Sequence, residues 1–169
     1  MVSNNYLIRT EQRFSEIQFR REGISSESLT EIKKGLITLY NLEIMAAAIY
    51  QFQISGDQDE LNRRLITSMY NEMTHIQDFK VKLYEYGWKP SKRRGFYWII
   101  GFKIGFISRL LGKKIILKAG ICVEKKAVHH YDKLLSNIDW DDATRKIIEK
   151  DQSDEVVHIQ HWEELLEKI

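Results

Sequence analysis

The sequence predicts an all-α protein, a four-helix bundle with a long helical crossover between its second and third helices. Three observations support this. Proline occurs once, at Pro90, and glycines are few outside residues 87–120, so little interrupts long helices. Apolar residues recur at helical spacing in four stretches. Inside each stripe sits a polar intrusion: Glu43, then Glu72 with His75, then Glu124, then Glu155 with His158. Single glutamates and Glu-x-x-His pairs therefore alternate along the chain.

At 169 residues the chain is long enough for one domain with a real core and short for two. Its 43% hydrophobic and 30% charged residues are ordinary for a globular protein, and a net charge of +2 points to neither a nucleic-acid nor an acidic partner. Cys122 is the single cysteine, which excludes an intrachain disulfide and fits a reducing compartment. The first residues, MVSNNYLIRTEQRF, lack the apolar centre of a signal peptide, and no apolar run approaches the ~20 residues that cross a bilayer. The expected location is cytoplasmic.

Residues 1–26 are charged and weakly periodic, with a short helix expected over 5–21. Ser28 with Glu31 has the capping-box pattern and predicts the start of the first bundle helix, whose stripe runs Ile32, Leu36, Leu39, Glu43, Ala47, Tyr50, Ile54. Ser55-Gly56-Asp57 breaks it. Asp57 with Glu60 predicts the next cap, and the second stripe runs Leu61, Leu65, Ser68, Glu72, His75, Phe79, Leu83 until Gly87. Gly87-Trp88-Lys89-Pro90 cannot continue a helix. The crossover is expected to be helical from Phe96 to Leu111, aromatic on one side and interrupted by Gly101 and Gly105. After Gly112 the third stripe runs Ile116, Gly120, Glu124, Ala127, Tyr131, Leu134, and residues 137–141 form a turn with several candidate caps. The fourth carries Ile148, Asp151, Glu155, His158, Trp162, Leu165 and Ile169.

A buried carboxylate without a partner either takes up a proton or finds a cation. One such intrusion is unremarkable, but four at the middle of four helices need a common cause. Their depths agree. At ~1.5 Å per residue, Glu43 lies about 20 Å from the turn near Gly56 and the Glu72–His75 pair about 24–28 Å. Glu124 lies about 20 Å from the turn near residues 137–139 and Glu155–His158 about 25–30 Å. Spacing i, i+3 sets each histidine beside its glutamate on one helix face. Roughly half of one Glu-x-x-His is expected by chance, so a single pair carries little weight and the alternating set carries the reading. Four carboxylates and two imidazoles are the donors that hold two metal ions in a bundle core, Glu72 and Glu155 bridging and Glu43 and Glu124 terminal, with positions left open for oxygen. Two iron ions fit, and manganese suits the same ligands.

These residues resemble the ferritin-like di-iron carboxylate superfamily, and within it the chain is similar to the demethoxyubiquinone hydroxylase family. The likeness lies in Leu42-Glu43…Ala47…Ile49-Tyr50, Glu72-Met73-Thr74-His75, Gly101-Phe102 to Leu110-Leu111-Gly112, Val123-Glu124…His129-His130-Tyr131, and Asp154-Glu155-Val156-Val157-His158. It implies a ferritin-like up-down-down-up bundle and O2-dependent hydroxylation of an apolar quinone ring at two irons, with electrons from NADH or a protein donor. It also implies a part for His130 and Tyr131 in passing electrons and protons. Tyr131 falls two turns after Glu124 on one stripe, whereas His130 points elsewhere on the helix. Tyr131 as a hydrogen-bonded phenol of the core is an equal alternative.

The crossover is the most hydrophobic stretch. Lys89, Lys92, Arg93 and Arg94 precede it, and Arg109, Lys113, Lys114 and Lys118 follow. Two uses fit: packing against the bundle with basic ends in solvent, or peripheral contact of residues 96–111 with an anionic membrane surface. No nucleic-acid motif accompanies the charges. Ala46, Ala47 and Ala48 beside Glu43 either leave room for substrate or let helices approach closely. Beside the monooxygenase stand two other classes: a ferroxidase or peroxide-reducing protein without an organic substrate, and a helical binding protein with a structural metal or none. The absence of a Cys-x-x-Cys module argues against a full rubrerythrin. Oligomeric state stays open, a homodimer included.

Overall fold

The computed structural model describes residues 17–169. Five helices follow one another: α1 (Ser26–Gln53), α2 (Glu60–Glu85), α3 (Arg94–Leu110), α4 (Lys113–Asn137) and α5 (Asp142–Glu167). The helix expected over 5–21 lies mostly outside the described residues, and residues 17–21 are not helical.

Three of the starts are set by side-chain caps. The Ser25 hydroxyl accepts from the Ser28 amide, so α1 begins one turn ahead of the expected Ser28. Asp59 caps α2 through the Asn62 amide, whereas the expected Asp57 accepts from the Ser55 hydroxyl inside the turn. Asp141 caps α5, accepting from the amides of Ala143 and Thr144.

Short turns make antiparallel hairpins of α1 with α2 and of α4 with α5, which pack together as the four-helix bundle. The crossover α3 lies outside the bundle against α1. A Cβ on Gly101 would come within 2.3 Å of the Met45 carbonyl oxygen, and one on Gly105 within 2.4 Å of that of Ile49. The two contacts advance together along both helices, so α3 runs parallel to α1 and returns the chain to the end where α4 starts. The bundle helices therefore run up, down, down, up.

Gly101 and Gly105 do not interrupt the crossover helix. They are the face on which it packs: with Ser108 they are its buried residues, while Phe96, Trp98, Ile99, Phe106, Ile107 and Leu110 remain exposed. Close approach without a Cβ is worth more here than the entropy glycine costs a helix. The small residues of α1 serve the same contact, since Ala48 meets Gly101.

Two apolar clusters fill the bundle. One gathers Ile32, Leu36, Leu39, Phe79, Leu83, Tyr86, Trp140 and Ile148. The other gathers Ile49, Tyr50, Leu61, Leu65, Leu117 and Trp162. Between them lies a layer of acids and imidazoles.

Candidate metal centre

The stations predicted on four helices meet in that layer. Glu43 from α1, Glu72 and His75 from α2, Glu124 from α4, and Glu155 and His158 from α5 are all buried. Their donor atoms form two sets, Glu43, Glu72, His75 and Glu155, and Glu72, Glu124, Glu155 and His158, with the atoms of each set within 4.8 Å of one another. The sets share Glu72 and Glu155, the glutamates of the two Glu-x-x-His pairs.

Both imidazoles turn Nδ1 inward. His75 Nδ1 is 3.0 Å from Glu155, 3.4 Å from Glu72 and 3.7 Å from Glu43. His158 Nδ1 is 3.0 Å from Glu155, 3.1 Å from Glu72 and 3.5 Å from Glu124. Both oxygens of Glu72, Oε2 of Glu124, Oε1 of Glu155 and Nδ1 of His75 are buried without a hydrogen-bond partner. Orphaned acceptors at such density are costly unless cations occupy the layer, so the donors present fit a pair of metal ions.

The electrostatics of the metal-free layer agree. Burial pushes the Glu43 carboxyl well up, and it pushes Glu124 up to about 8, with Glu155 adding repulsion in both cases. Burial acts the same way on Glu72, but His158 and His75 outweigh it and hold that carboxyl well below the usual range. For the imidazoles burial favours the neutral ring, yet surrounding acids win: Asp151 and Glu155 raise His75, and Glu124, Glu155 and Glu72 raise His158. Without metal the layer holds protons that incoming cations must displace.

Several residues around the layer were not singled out from sequence. The Tyr50 hydroxyl donates to Glu124 Oε1 and accepts from Trp162 Nε1 at 3.2 Å. Asp154 Oδ2 is 3.2 Å from His75 Nε2, and buried Asp151 lies at 3.8 Å from the same nitrogen. Their signal was present, since Tyr50, Asp151 and Trp162 stand in the same stripes as the acids. Tyr131 is wholly buried and donates to Glu43 Oε1 at 2.7 Å, and burial followed by the Glu43 charge raises its phenol well above the ordinary value. His130 does not join this group. It is exposed, with Nδ1 2.7 Å from the Lys126 carbonyl of its own helix.

A helical bundle with paired carboxylates and imidazoles at its centre defines a class, the ferritin-like di-iron carboxylate proteins. Residues 42–167 match the family described as ubiquinone biosynthesis protein COQ7. The chain belongs to that family. A curated relative from Coxiella burnetii, named 3-demethoxyubiquinol 3-hydroxylase, is 29% identical over 81% of this chain and 67% of its own. One from Dictyostelium discoideum, named NADPH-dependent 3-demethoxyubiquinone 3-hydroxylase, mitochondrial, is 29% identical over 69% of this chain. Only 56% of that relative's length is covered. The crystal structure of a hypothetical protein from Methanococcus jannaschii superposes with a TM-score of 0.72, covering 88% of this chain and 85% of that one. At 18% identity it speaks for the fold alone.

Proposed function

We propose that the protein is an O2-dependent di-iron monooxygenase that hydroxylates a demethoxyubiquinone-like quinone ring. The observation that carries this is the pair of buried donor sets joined through Glu72 and Glu155, in a chain whose curated relatives are named for that hydroxylation. Glu43 with His75 would hold one iron and Glu124 with His158 the other, with Glu72 and Glu155 between them. Bound iron supplies the reduction of oxygen, which these side chains cannot perform alone.

The chain's own residues keep the donors in place and water out. Tyr131 steadies Glu43, Tyr50 steadies Glu124, and Asp154 accepts from His75 Nε2 so that Nδ1 stays free to bind. The apolar clusters on either side make the layer dry. Electrons come from a reduced nicotinamide or a protein donor; the Dictyostelium relative's name favours NADPH over the NADH expected from sequence.

An apolar substrate is reached from a membrane surface. Among the described residues no helix is long and apolar enough to cross a bilayer. The exposed face of α3 continues into Leu111 and Ile115, and Arg93, Arg94, Lys113 and Lys114 stand exposed at its ends. That combination suits peripheral docking of residues 96–111 on anionic lipid from the cytoplasmic side. Beside it a cavity of about 200 Å³, lined by Gln53, Leu61, Leu65, Arg109 and Ile116, opens above the cluster that contains Tyr50.

The test loads apoprotein with Fe(II) in the absence of air, counts metal, and then admits oxygen and reductant with a short-tailed quinone. Two irons per chain and a product one oxygen heavier are expected. Two irons that consume oxygen and leave the quinone untouched would move the protein to the ferroxidase or peroxide-reducing class. Fewer than two would overturn the di-iron reading.

A further inference from the structure

We propose that the two metal positions are unequal, and that Asp151, held by Lys150, makes the Glu43–His75 position the tighter one for a divalent cation. This rests on the di-metal reading above and assigns Asp151 as a positioning residue behind His75.

The helices that carry the Glu-x-x-His pairs can be laid in one register. Ahead of Glu155, α5 carries Asp151 and Asp154; at the same steps ahead of Glu72, α2 carries Ser68 and Asn71. Both acids of α5 reach across to the outer nitrogen of the α2 histidine, Asp154 Oδ2 at 3.2 Å and Asp151 Oδ1 at 3.8 Å. Neither Ser68 nor Asn71 returns a charge to His158. Asn71 instead donates to Asp154 at 3.4 Å, and among the described residues the carboxylates paired with His158 all meet its inner nitrogen.

Lys150 is the third member. Its Nζ lies 2.9 Å from Asp151 Oδ1 and 3.4 Å from Asp154 Oδ2, spanning both acids from the surface. The four ligand carboxylates, with neutral imidazoles, match two divalent cations. Two further acids against one lysine leave a net negative charge, all of it beside His75. Asp151 has no exposed surface, and its Oδ2 has no hydrogen-bond partner. A cation one imidazole away compensates that buried charge. Its charge also makes the ring behind which it stands a better donor.

Cobalt(II) binding to apoprotein tests this, with single-position proteins separating the sites. Glu124→Ala leaves the His75 position intact and Glu43→Ala leaves the His158 position intact. The first is expected to bind one cobalt about 10- to 100-fold more tightly than the second. Asp151→Asn should cost the first about 10- to 100-fold and the second less than about threefold. Equal affinities in the two single-position proteins would overturn the proposal. So would an equal loss from Asp151→Asn in both, which is what a packing role predicts. If the native chain binds no cobalt at all, the di-metal reading fails too; two equal cobalts would sink only the inequality.

Discussion

The two hydrophobic ends of the bundle, one on each side of the acid–imidazole layer, are finished in opposite ways. At the end with the α4–α5 turn, aromatic and charged side chains close the core together. Tyr86 stacks on Trp88 at 5.0 Å, and Trp140 fills the space that the missing Cβ of Gly35 leaves, its indole donating to the Leu134 carbonyl. Asp141 accepts from Tyr86, Thr144 and Arg20, and Arg20 and Lys82 both reach Glu85. At the other end, the acceptor oxygen of Gln53 is buried without a partner, a cavity opens, and a row of large apolar side chains faces outward from α3. The first end has its charged groups paired and its rings packed, as stability requires. The second leaves both kinds of surface unmet, as an end that receives a ligand would.

The contrast is sharpened most by Trp140→Ala. It should destabilise the fold by about 3–5 kcal/mol, read by chemical denaturation, while metal stoichiometry in the folded protein stays at the parent value. A coupled loss of metal would show that the closed end also holds the ligand layer.

Asp141→Ala should cost less, about 1–3 kcal/mol at neutral pH, through loss of a cap and of the partner of Arg20 and Tyr86. Burial works against the Asp141 charge, but hydrogen bonds from Thr144 and Tyr86 and the nearby Arg20 outweigh it and hold the carboxyl below its ordinary value. A depressed folded-state value means that this contribution is complete above the unfolded value of about 3.9 and is lost as pH falls through the folded one. The gap between parent and variant should therefore narrow below about pH 4.

In the central layer the sign reverses. Burial raises Glu124 to about 8, so its contribution to metal-free stability is complete below the unfolded value of about 4.3 and is lost as pH rises through about 8. Divalent-metal affinity should climb over that same range, by up to about tenfold per pH unit for each proton displaced, and then level off. Glu124→Gln should flatten the climb as well as weaken binding.

The smallest effect on stability belongs to the open end. Phe106, Leu110 and Leu111 changed together to serine should shift unfolding by only about 0.5 kcal/mol, because these side chains are already exposed. Co-sedimentation with anionic vesicles should nevertheless fall to background. Vesicle binding equal to the parent's would exclude α3 as the docking face.

Much of the candidate metal centre was legible because helices have one period. A carboxylate inside an apolar stripe must face the core, and equal numbers of turns from two hairpin bends put four of them at one depth. Cap choice was less legible. Ser25 rather than Ser28 and Asp59 rather than Asp57 begin their helices, since acceptors a few residues apart compete and local turn geometry picks among them. The crossover was read least well. Its glycines looked like breaks, when a bare backbone is what lets α3 lie on the carbonyls of Met45 and Ile49.

What the sequence by itself determined is the set of helices, the layer at which their polar residues meet, and the family through motifs that survive as spacings. These are properties of a repeat along one chain. Only the tertiary structure decided that Nδ1 of each histidine turns inward, that Tyr131 donates to Glu43 while its neighbour His130 faces solvent, and that Asp151 and Asp154 stand behind His75 with no counterpart behind His158. Those depend on the rotation of one helix against another. A difference of 100° per residue sends adjacent side chains into the core and out to water, and no local pattern records which partner waits there.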